Sequence, residues 1–282
     1  MPAASIEGTT TDNWSIQEVN SELQFSYQNK PKAILDSTGI LTLDKTLVSN
    51  GISTFELIIA SNQTNFDLRS AAVAAGWPGT TQLAVTIAPG VYISSNNTSI
   101  PALTVSGSFP KGVSLTNNGL IIGMGGAGGA GSNGAGGAGG VGLKALSSLL
   151  LNNAGTIAGG GGGGGAGANG NGGQGGGGGG GRTGLTNSAG GARAGGAGTV
   201  NGAGAGGPSI YYTNRVMTFA GDIYNPPRYR TDVYTAGGGA AGGNWGANGV
   251  GAGGAGGAGG AAVVGTALIN WQTLGTRNGG VI

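Results

Sequence analysis

Short runs of alternating apolar and polar residues occupy the N-terminal part of the chain and predict β-strands. The clearest run, residues 23–27, places Leu23, Phe25 and Tyr27 on one face of a strand. A turn is predicted at residues 28–31, and the neighbouring strand-like runs are 14–17, 32–35 and 40–43. A meander of about 35 residues buries little apolar surface on its own. We therefore expect this segment to oligomerise or to dock on another protein.

A second series of runs begins near Thr54 and predicts one helix followed by strands. Asn65 is the expected N-cap of an alanine-rich helix over residues 66–75, and Gly76 is expected to end it at the C′ position. Strand-like runs then recur about every ten residues, a spacing typical of a small all-β domain or a solenoid. These runs are residues 83–87, 91–93, 102–105 and 113–115.

Glycine recurs at every third position from Gly125 to Gly140, and the same period returns from Gly251 to Gly260. Three residues make one turn of a polyproline II helix, which has no internal hydrogen bonds. Chains without Cβ atoms can approach closely enough for the N–H of one helix to meet the C=O of the next, so a bundle can satisfy its backbone laterally. A flexible linker is the alternative, but a linker has no reason to keep a strict period. The pattern favours a packed bundle of polyglycine II helices.

The boundary between strand-like and glycine-rich sequence is repeated along the chain. Residues 117–126 and 152–161 both contain an Asn-Asn pair, a short β-like run and the start of a glycine tract, and Gly119 and Gly155 are 36 positions apart. A fainter copy closes the chain at residues 275–282. The repeat predicts one continuous architecture in which strands lead directly into the glycine helices.

Composition changes sharply along the chain. Of its 282 residues 69 are glycine, and nine of these lie before residue 120. Residues 1–69 carry eight acidic against four basic side chains, a net charge of −4, whereas residues 70–282 carry two against eight, a net charge of +6. The cations of the second part form no run or stripe, which argues against binding of nucleic acid.

Cysteine and histidine are absent, so disulfides and thiolate metal sites are excluded. The N-terminus is polar, and no stretch approaches the ~20 apolar residues of a membrane span. Neither a signal peptide nor a spanning segment is therefore expected. Together with the extracellular-looking composition, this indicates a component of a virion that is released by lysis.

The chain lacks the residue patterns of catalysis. Without histidine there is no Ser-His-Asp or Cys-His arrangement. A glycosidase needs two carboxylates on either side of a bond, and the glycine-rich half offers only Asp222 and Asp232, both in one segment. Its glycine tracts lack the aspartates of calcium-binding repeats, and Gly142-Leu143-Lys144 lacks the spacing of a phosphate loop. We expect no enzyme activity, no cofactor and no metal.

Four segments interrupt the glycine tracts, and residues 210–235 are distinctive among them because they hold five of the seven tyrosines. The interrupting segments are 141–153, 182–193, 208–236 and 244–248. Tyrosine and arginine among Ser, Gly and Asn are typical of binding surfaces, since they give large contact areas at low entropic cost. A hairpin that packs its own aromatic side chains is the alternative. The candidate binding residues are Tyr211, Tyr212, Arg215, Tyr224, Arg228, Tyr229, Arg230 and Trp245.

Two stretches of the chain resemble bacteriophage tail proteins. Residues 13–17, 23–27 and 35–42 resemble a module of phage tail fibres. Residues 66–77 (FDLRSAAVAAGW), the two Asn-Asn boundaries, the Gly/Ala tracts and the closing Gly275-Thr276-Arg277 resemble glycine-rich tail-tip adhesins of T-even-type phages. The second resemblance covers residues 54–282. It implies a sandwich of polyglycine II helices whose end loops contact the host surface.

The resemblance and the patterns together give the following expectations. The fold is mostly β and irregular: a fibre-like attachment or trimerisation module (1–53), a small β-domain with one short helix (54–124) and a polyglycine II domain with receptor-binding loops (125–282). Segments 141–157 and 262–282 return to the β-domain. The expected function is a tail-fibre tip adhesin, located in the virion at the distal tail fibre or tail tip. Its expected partners are a bacterial surface receptor (an outer-membrane protein or a surface glycan) and other tail-fibre or baseplate subunits.

Two alternatives stay open at this level. The N-terminal module favours a homotrimer, whereas adhesins of the family that cap a separate fibre are monomers. A structural or ice-binding glycine-rich surface protein is the alternative function. The missing signal peptide and the Tyr/Arg segment both argue against that alternative.

Overall fold

The computed structural model describes residues 14–19, 22–27, 30–35, 41–43, 53–130, 133–170, 181–182, 195–199, 201–219 and 228–282. The chain divides into two compact units, the first ending at Phe55 and the second beginning at Glu56. As expected from the patterns, most regular elements are strands, and the described residues contain one α-helix.

The first unit is a four-stranded antiparallel meander in which each strand pairs with the next. Its strands are β1 (Trp14–Val19), β2 (Glu22–Tyr27), β3 (Lys30–Leu35) and β4 (Leu41–Leu43). The turn predicted at residues 28–31 is too long, because β3 already starts at Lys30 and Pro31 pairs with Ser26. The register shifts between Phe25 and Ser26, and a shift of this kind accommodates a proline that lacks an N–H.

Most strands of the second unit are short, and two long strands interrupt them. The strands are β5 (Thr54–Ile59), β6 (Gln63–Thr64), β7 (Phe66–Asp67), β8 (Gln82–Ile87), β9 (Tyr92–Ser94), β10 (Leu103–Val105), β11 (Val113–Asn117), β12 (Leu120–Ile122), β13 (Leu143–Ala145), β14 (Leu149–Asn153), β15 (Thr156–Ala158), β16 (Ile210–Phe219), β17 (Arg228–Ala236), β18 (Val263–Val264), β19 (Ile269–Thr273) and β20 (Thr276–Asn278). A short 3-10 helix, Thr266–Leu268, precedes β19.

The short strands form a parallel β-solenoid. Three sheets have the orders β5-β8-β11-β14-β19, β6-β9-β12-β15-β20 and β7-β10-β13-β18. Each of the first four circuits adds a strand to every sheet, and the last, with β19 and β20, adds to two of them. Alternate residues point inward, as in β8 and β11, and inward side chains from all three sheets fill the core. Fully buried examples are Leu83, Ile87, Ile93, Leu103, Leu115, Ile121, Leu143, Leu151 and Ile157. Of the two arrangements that the spacing predicted, the solenoid is the one formed.

The 36-residue repeat corresponds to two stacked circuits of this solenoid. Asn117 pairs with Asn153 in adjacent strands, and both side chains are buried. Asn117 Nδ2 donates to Asn153 Oδ1 at 2.8 Å, and Asn153 Nδ2 donates to the Leu274 carbonyl at 2.8 Å. The Gly119 amide donates to Asn117 Oδ1 at 3.1 Å. The repeated asparagines therefore form a buried ladder that satisfies the backbone at the bend between sheets.

The α-helix, α1, covers Leu68–Ala74 and begins later than predicted. Its N-cap is Asp67, whose side chain accepts a hydrogen bond from the Ser70 amide at 2.8 Å. The prediction of Asn65 as N-cap is wrong. Strand β7 pairs with β10 and keeps the chain extended up to Asp67, so the helix cannot start before it.

The end of α1 is the predicted one. Gly76 has a φ of 98°, which a glycine adopts without strain. Its amide donates to the Val73 carbonyl at 3.0 Å, and the Trp77 amide donates to the Ala72 carbonyl at 2.8 Å. This pair of bonds is a Schellman motif, and it turns the chain towards the next circuit of the solenoid.

Candidate functional site

The glycine-rich segments are joined by backbone hydrogen bonds that recur at every third residue. Along residues 159–170, the amides of Gly160, Gly163 and Ala166 donate to carbonyl oxygens of residues 140, 137 and 134 at 2.8–2.9 Å. Every residue from 159 to 167 is buried. This segment is therefore the centre of a bundle whose members run side by side.

Among the described residues, six glycine-rich segments bond to this central segment. They are 123–130, 134–142, 181–182, 237–243, 246–250 and 254–261. A Cβ atom placed on Gly163 would collide with the carbonyl oxygen of Ala127, and one on Gly257 would collide with that of Gly137. Ala127, Ala130 and Ala258, by contrast, are exposed. In segments 123–130 and 254–261 the Gly-Gly-Ala rhythm thus follows from the bundle, because every third position there is exposed and has room for a methyl group.

The bundle has two distinct ends. At the solenoid end the Gly159 amide donates to the carbonyl of Asn278 in β20 at 2.9 Å. At the far end the Gly237 amide donates to the Ala168 carbonyl at 3.0 Å, and Gly237 directly follows β17. The bundle therefore separates the β16–β17 pair from the solenoid.

Strands β16 and β17 form a long antiparallel hairpin instead of the loop expected from sequence. Tyr211 lies opposite Thr235 and Arg215 lies opposite Thr231. Opposite residues of an antiparallel pair share a face, so the hairpin has two faces. Residues 220–227, with the candidate Tyr224, lie outside the described residues, as do 183–193 of another interrupting segment.

One face of the hairpin, which we call the Arg215 face, is exposed along its length. It consists of Tyr211, Thr213, Arg215, Met217, Tyr229, Thr231, Val233 and Thr235. The exposed fractions of its large apolar side chains are 76% for Tyr211, 54% for Met217, 42% for Tyr229 and 42% for Val233. The guanidinium carbon of Arg215 lies 3.9 Å from the centre of the Tyr229 ring. Stacking of this kind orients the cation while its N–H edges stay accessible.

The opposite face carries an ion pair and is more covered. Arg230 Nε lies 2.6 Å from Asp232 Oδ1, and Arg230 Nη2 donates to Asp232 Oδ2 at 3.2 Å. This hydrogen bond and the charge of Asp232 raise the pKa of the Arg230 guanidinium above its usual value. Val216, Asp232 and Tyr234 on this face are half-buried, and Ala236 is buried. The two faces thus differ in exposure and in the contact of their arginine, which is an aromatic ring for Arg215 and a carboxylate for Arg230.

Comparison with known proteins identifies the family. The family model of the phage tail fibre adhesin Gp38 matches residues 54–282, which is most of the chain. The chain belongs to this adhesin family. Family membership confirms the resemblance of residues 54–282 to tail-tip adhesins and favours the adhesin over the structural or ice-binding alternative.

A solved structure supports the same conclusion. The chain is similar to one in the crystal structure of the gp37-gp38 adhesin tip complex of the bacteriophage S16 long tail fibre, with 25% identity and a TM-score of 0.57. The match covers 82% of this chain and 83% of the other. No protein with a curated description matches the chain. The two matches confirm the predicted location in the virion, at the distal tail fibre or tail tip.

The adhesin brings some of the sequence-predicted residues together and separates others. Tyr211, Arg215 and Tyr229 share one face, whereas Arg230 lies on the other. Arg228 is exposed at the start of β17, and Tyr212 lies within β16. Sequence reasoning missed Met217 and Val233. The signal that could have found Met217 is its even spacing within one strand, two residues from Arg215 and six from Tyr211, which places all three on one face.

Trp245 lies at the other end of the adhesin's bundle. The amide of the next residue, Gly246, donates to the Gly159 carbonyl at 2.9 Å, which places Trp245 at the solenoid end. The Arg182 guanidinium carbon lies 3.8 Å from the centre of the Trp245 ring. Trp245 is thus remote from the hairpin along the bundle.

We compared the hairpin with the other described parts of the adhesin as a place where a ligand could bind. Within the described ranges no three acidic side chains group closely enough to hold a metal ion. A groove on the solenoid is lined mostly by aliphatic residues, among them Val113, Leu150 and Leu268, with Ser148 and Asn270 as its polar members and no titratable group. None of the helices in the described part of the chain could cross a membrane. The hairpin is the strongest candidate site.

Proposed function

We propose that this adhesin binds a bacterial cell-surface receptor, an outer-membrane protein or a surface glycan, through the hairpin β16–β17. The observation that carries the proposal is the exposed Arg215 face at the far end of the bundle. Large apolar side chains are rarely left exposed together on a monomer without a partner. The proposed contact residues within the described part of the hairpin are Tyr211, Tyr212, Arg215, Arg228, Tyr229 and Arg230. Trp245 is left out because it lies at the solenoid end.

We infer that the glycine-rich segments act as a rigid scaffold in the form of a polyglycine II sandwich. Hydrogen bonds at every third residue, six neighbours around one central segment and an all-glycine stretch from Gly159 to Gly165 support this assignment. Such a scaffold offers no distinctive side chains, so recognition falls to the segments that interrupt it. Protected amides along residues 159–167 in hydrogen exchange are the expected signature, and fast exchange there would rule the sandwich out.

We propose further that the adhesin joins a tail-fibre subunit. The similar S16 chain comes from a complex of gp37 and gp38, and here the first unit is a small antiparallel sheet too short to bury much apolar surface alone. We expect it to hold the chain on a fibre, as a homotrimer. Sedimentation of the full chain and of residues 54–282 tests this. A monomeric full chain that binds no fibre subunit would contradict it.

Cell binding tests the receptor proposal. The purified full chain is first screened for adsorption to a panel of bacterial strains, and a strain that retains it is used for comparison of variants. The pair Arg228→Ala with Tyr229→Ala, and separately Tyr211→Ala with Tyr212→Ala, should weaken adsorption by about thirtyfold, because central Tyr and Arg side chains often contribute about 2 kcal/mol. Lys111→Gln on the solenoid is the control for loss of one charge. If both double variants fold and adsorb like the parent, receptor binding lies elsewhere.

A further inference from the structure

We propose that the Arg215 face docks on a protein surface in which a carboxylate is surrounded by apolar side chains, with Arg215 as the residue that takes the carboxylate. This inference rests on the proposed function and deepens it, because it selects one face of the hairpin, one chemical class of partner and one residue that determines specificity.

The composition of the face indicates a protein partner. Protein interfaces are enriched in aromatic residues, Met and Arg, and depleted in Lys, Glu, Asp, Ser and Ala. The Arg215 face has two tyrosines, a methionine and an arginine and contains none of the depleted types. Met217 and Val233 are aliphatic and offer no ring or charge to a sugar, yet they expose 54% and 42% of their surface. Burial of these side chains favours an apolar protein surface over a glycan.

The charges of the hairpin indicate where the carboxylate binds. Arg230 already directs Nε and Nη2 at the two carboxylate oxygens of Asp232, so this pair of donors is not available to a partner. Arg215 has a different environment: among the described residues its guanidinium carbon lies over the Tyr229 ring, and the side chain is exposed. Its N–H edges are therefore available for two parallel hydrogen bonds, the geometry in which arginine binds a carboxylate.

The position of Arg215 strengthens such a bond. Met217 lies next to it on the same face of β16, and Tyr211 lies beyond Thr213 on that strand. Tyr229 and Val233 lie diagonally across from it on β17, on either side of Thr231. A partner that covers Tyr211, Met217, Tyr229 and Val233 excludes water from the ion pair. Charge-assisted hydrogen bonds gain most where water is removed and both partners are satisfied, so Arg215 discriminates strongly against a partner without an acid at this point.

The test uses the full chain and outer-membrane vesicles from a strain that adsorbs the parent protein. Arg215→Gln is expected to weaken vesicle binding by at least tenfold, and Arg215→Lys by nearly as much, because lysine keeps the charge but loses the fork and the stacking. Met217→Ser is expected to weaken binding severalfold through lost apolar contact. Asn214→Ala, exposed on the opposite face of the same strand, is the matched control and is expected to bind like the parent.

Three kinds of vesicle distinguish a protein carboxylate from a glycolipid phosphate as the group that Arg215 binds. Vesicles digested with protease, and vesicles whose carboxylates have been converted to neutral amides, should both lose parent binding. If the parent still binds digested vesicles or vesicles of purified lipopolysaccharide, and Arg215→Gln does not, the ligand is a phosphate of the glycolipid and the protein partner is wrong.

The variants also separate failure of this inference from failure of the proposed function. One outcome is that untreated vesicles bind Arg215→Gln, Arg215→Lys and Met217→Ser like the parent but no longer bind the two double variants of the hairpin. The hairpin then binds the receptor, but not through a carboxylate held by Arg215. If Asn214→Ala weakens binding as much as Arg215→Gln, the choice of face is wrong. If no hairpin variant changes binding, both proposals fall.

Discussion

The solenoid and the glycine bundle of this adhesin build their interiors in opposite ways. Inside the solenoid, side chains such as Leu83, Ile121 and Leu151 are fully buried and hold the sheets together through apolar contact. Inside the bundle the central segment has no side chains from residue 159 to 165, and backbone hydrogen bonds join it to its neighbours. The solenoid therefore depends on methyl groups that fill space, whereas the bundle depends on their absence.

The largest effect is expected from adding side-chain atoms to the bundle. Gly163→Val places a branched side chain against the Ala127 carbonyl, which is backbone and cannot move aside. We expect the bundle to lose at least about 3 kcal/mol of stability, the upper end of the usual overpacking range. Gly257→Val is expected to act in the same way. Thermal unfolding and hydrogen exchange of residues 159–167 measure the change.

Ala127→Val is the matched control for the glycine substitutions, since Ala127 is exposed on an outer segment of the same bundle. It should change stability by less than about 0.5 kcal/mol. Equal effects of Ala127→Val and Gly163→Val would show that the centre of the bundle is not close-packed. Gly131, a member of the same glycine period, lies outside the described residues.

Removal of side-chain atoms should have the corresponding effect in the solenoid. Leu151→Ala empties part of a core whose wall cannot collapse fully, and we expect a loss of about 2–5 kcal/mol. The next residue, Leu150, points outward from β14 and is 39% exposed. Leu150→Ala should therefore destabilise far less in the same denaturant titration. A reversed order of the two variants would mean that the inward and outward faces of β14 have been exchanged.

Variants of the asparagine ladder test how much buried polar contacts contribute to the stability of the solenoid. Asn117→Ala removes the donor to Asn153 Oδ1 and the acceptor of the Gly119 amide, whereas the bond from Asn153 Nδ2 to Leu274 remains. We expect a loss of about 1–3 kcal/mol. Replacement of both Asn117 and Asn153 by leucine removes two polar side chains at once and should cost less than the sum of the single changes. Additive losses in equilibrium unfolding would show that the two side chains are not coupled.

The smallest effect is expected at the solenoid end of the bundle. Arg182→Gln removes the stacking of a guanidinium on Trp245 and should reduce stability by about 0.5–1 kcal/mol. The change is read as a shift in the unfolding midpoint relative to the parent. A loss as large as that of Leu151→Ala would mean that side chains contribute more to the bundle than the comparison of the two interiors implies.

Much of the solenoid could be predicted from sequence because its inward positions are apolar. The runs at 83–87 and 113–115 lie within β8 and β11, and the repeat at Gly119 and Gly155 marks stacked circuits. The helix start was mispredicted because Asn65 and Asp67 are both good N-caps, and the choice between them depends on pairing of β7 with β10. That pairing joins residues far apart in sequence.

The sequence predicted which residue types form the candidate site but not how those residues are arranged in space. Residues 210–219 show no apolar-polar alternation, because one face of the hairpin is exposed and the other only partly covered, so neither face is selected for burial. Arg215 and Arg230 lie on opposite faces of the hairpin because of the register between β16 and β17. Trp245 lies far from the hairpin because its glycine segment leads back to the solenoid end of the bundle.

By itself the sequence determined the family, the run of short strands with its repeat, the glycine period and the Tyr/Arg composition of one segment. These features are local, since each follows from the spacing of residue types along the chain. Only the tertiary structure decided which glycine segment lies at the centre, which end of the bundle carries the hairpin and which of its faces is exposed. The physical reason is that glycine tracts look alike in sequence, so that their order in the bundle is set by hydrogen bonds between distant segments.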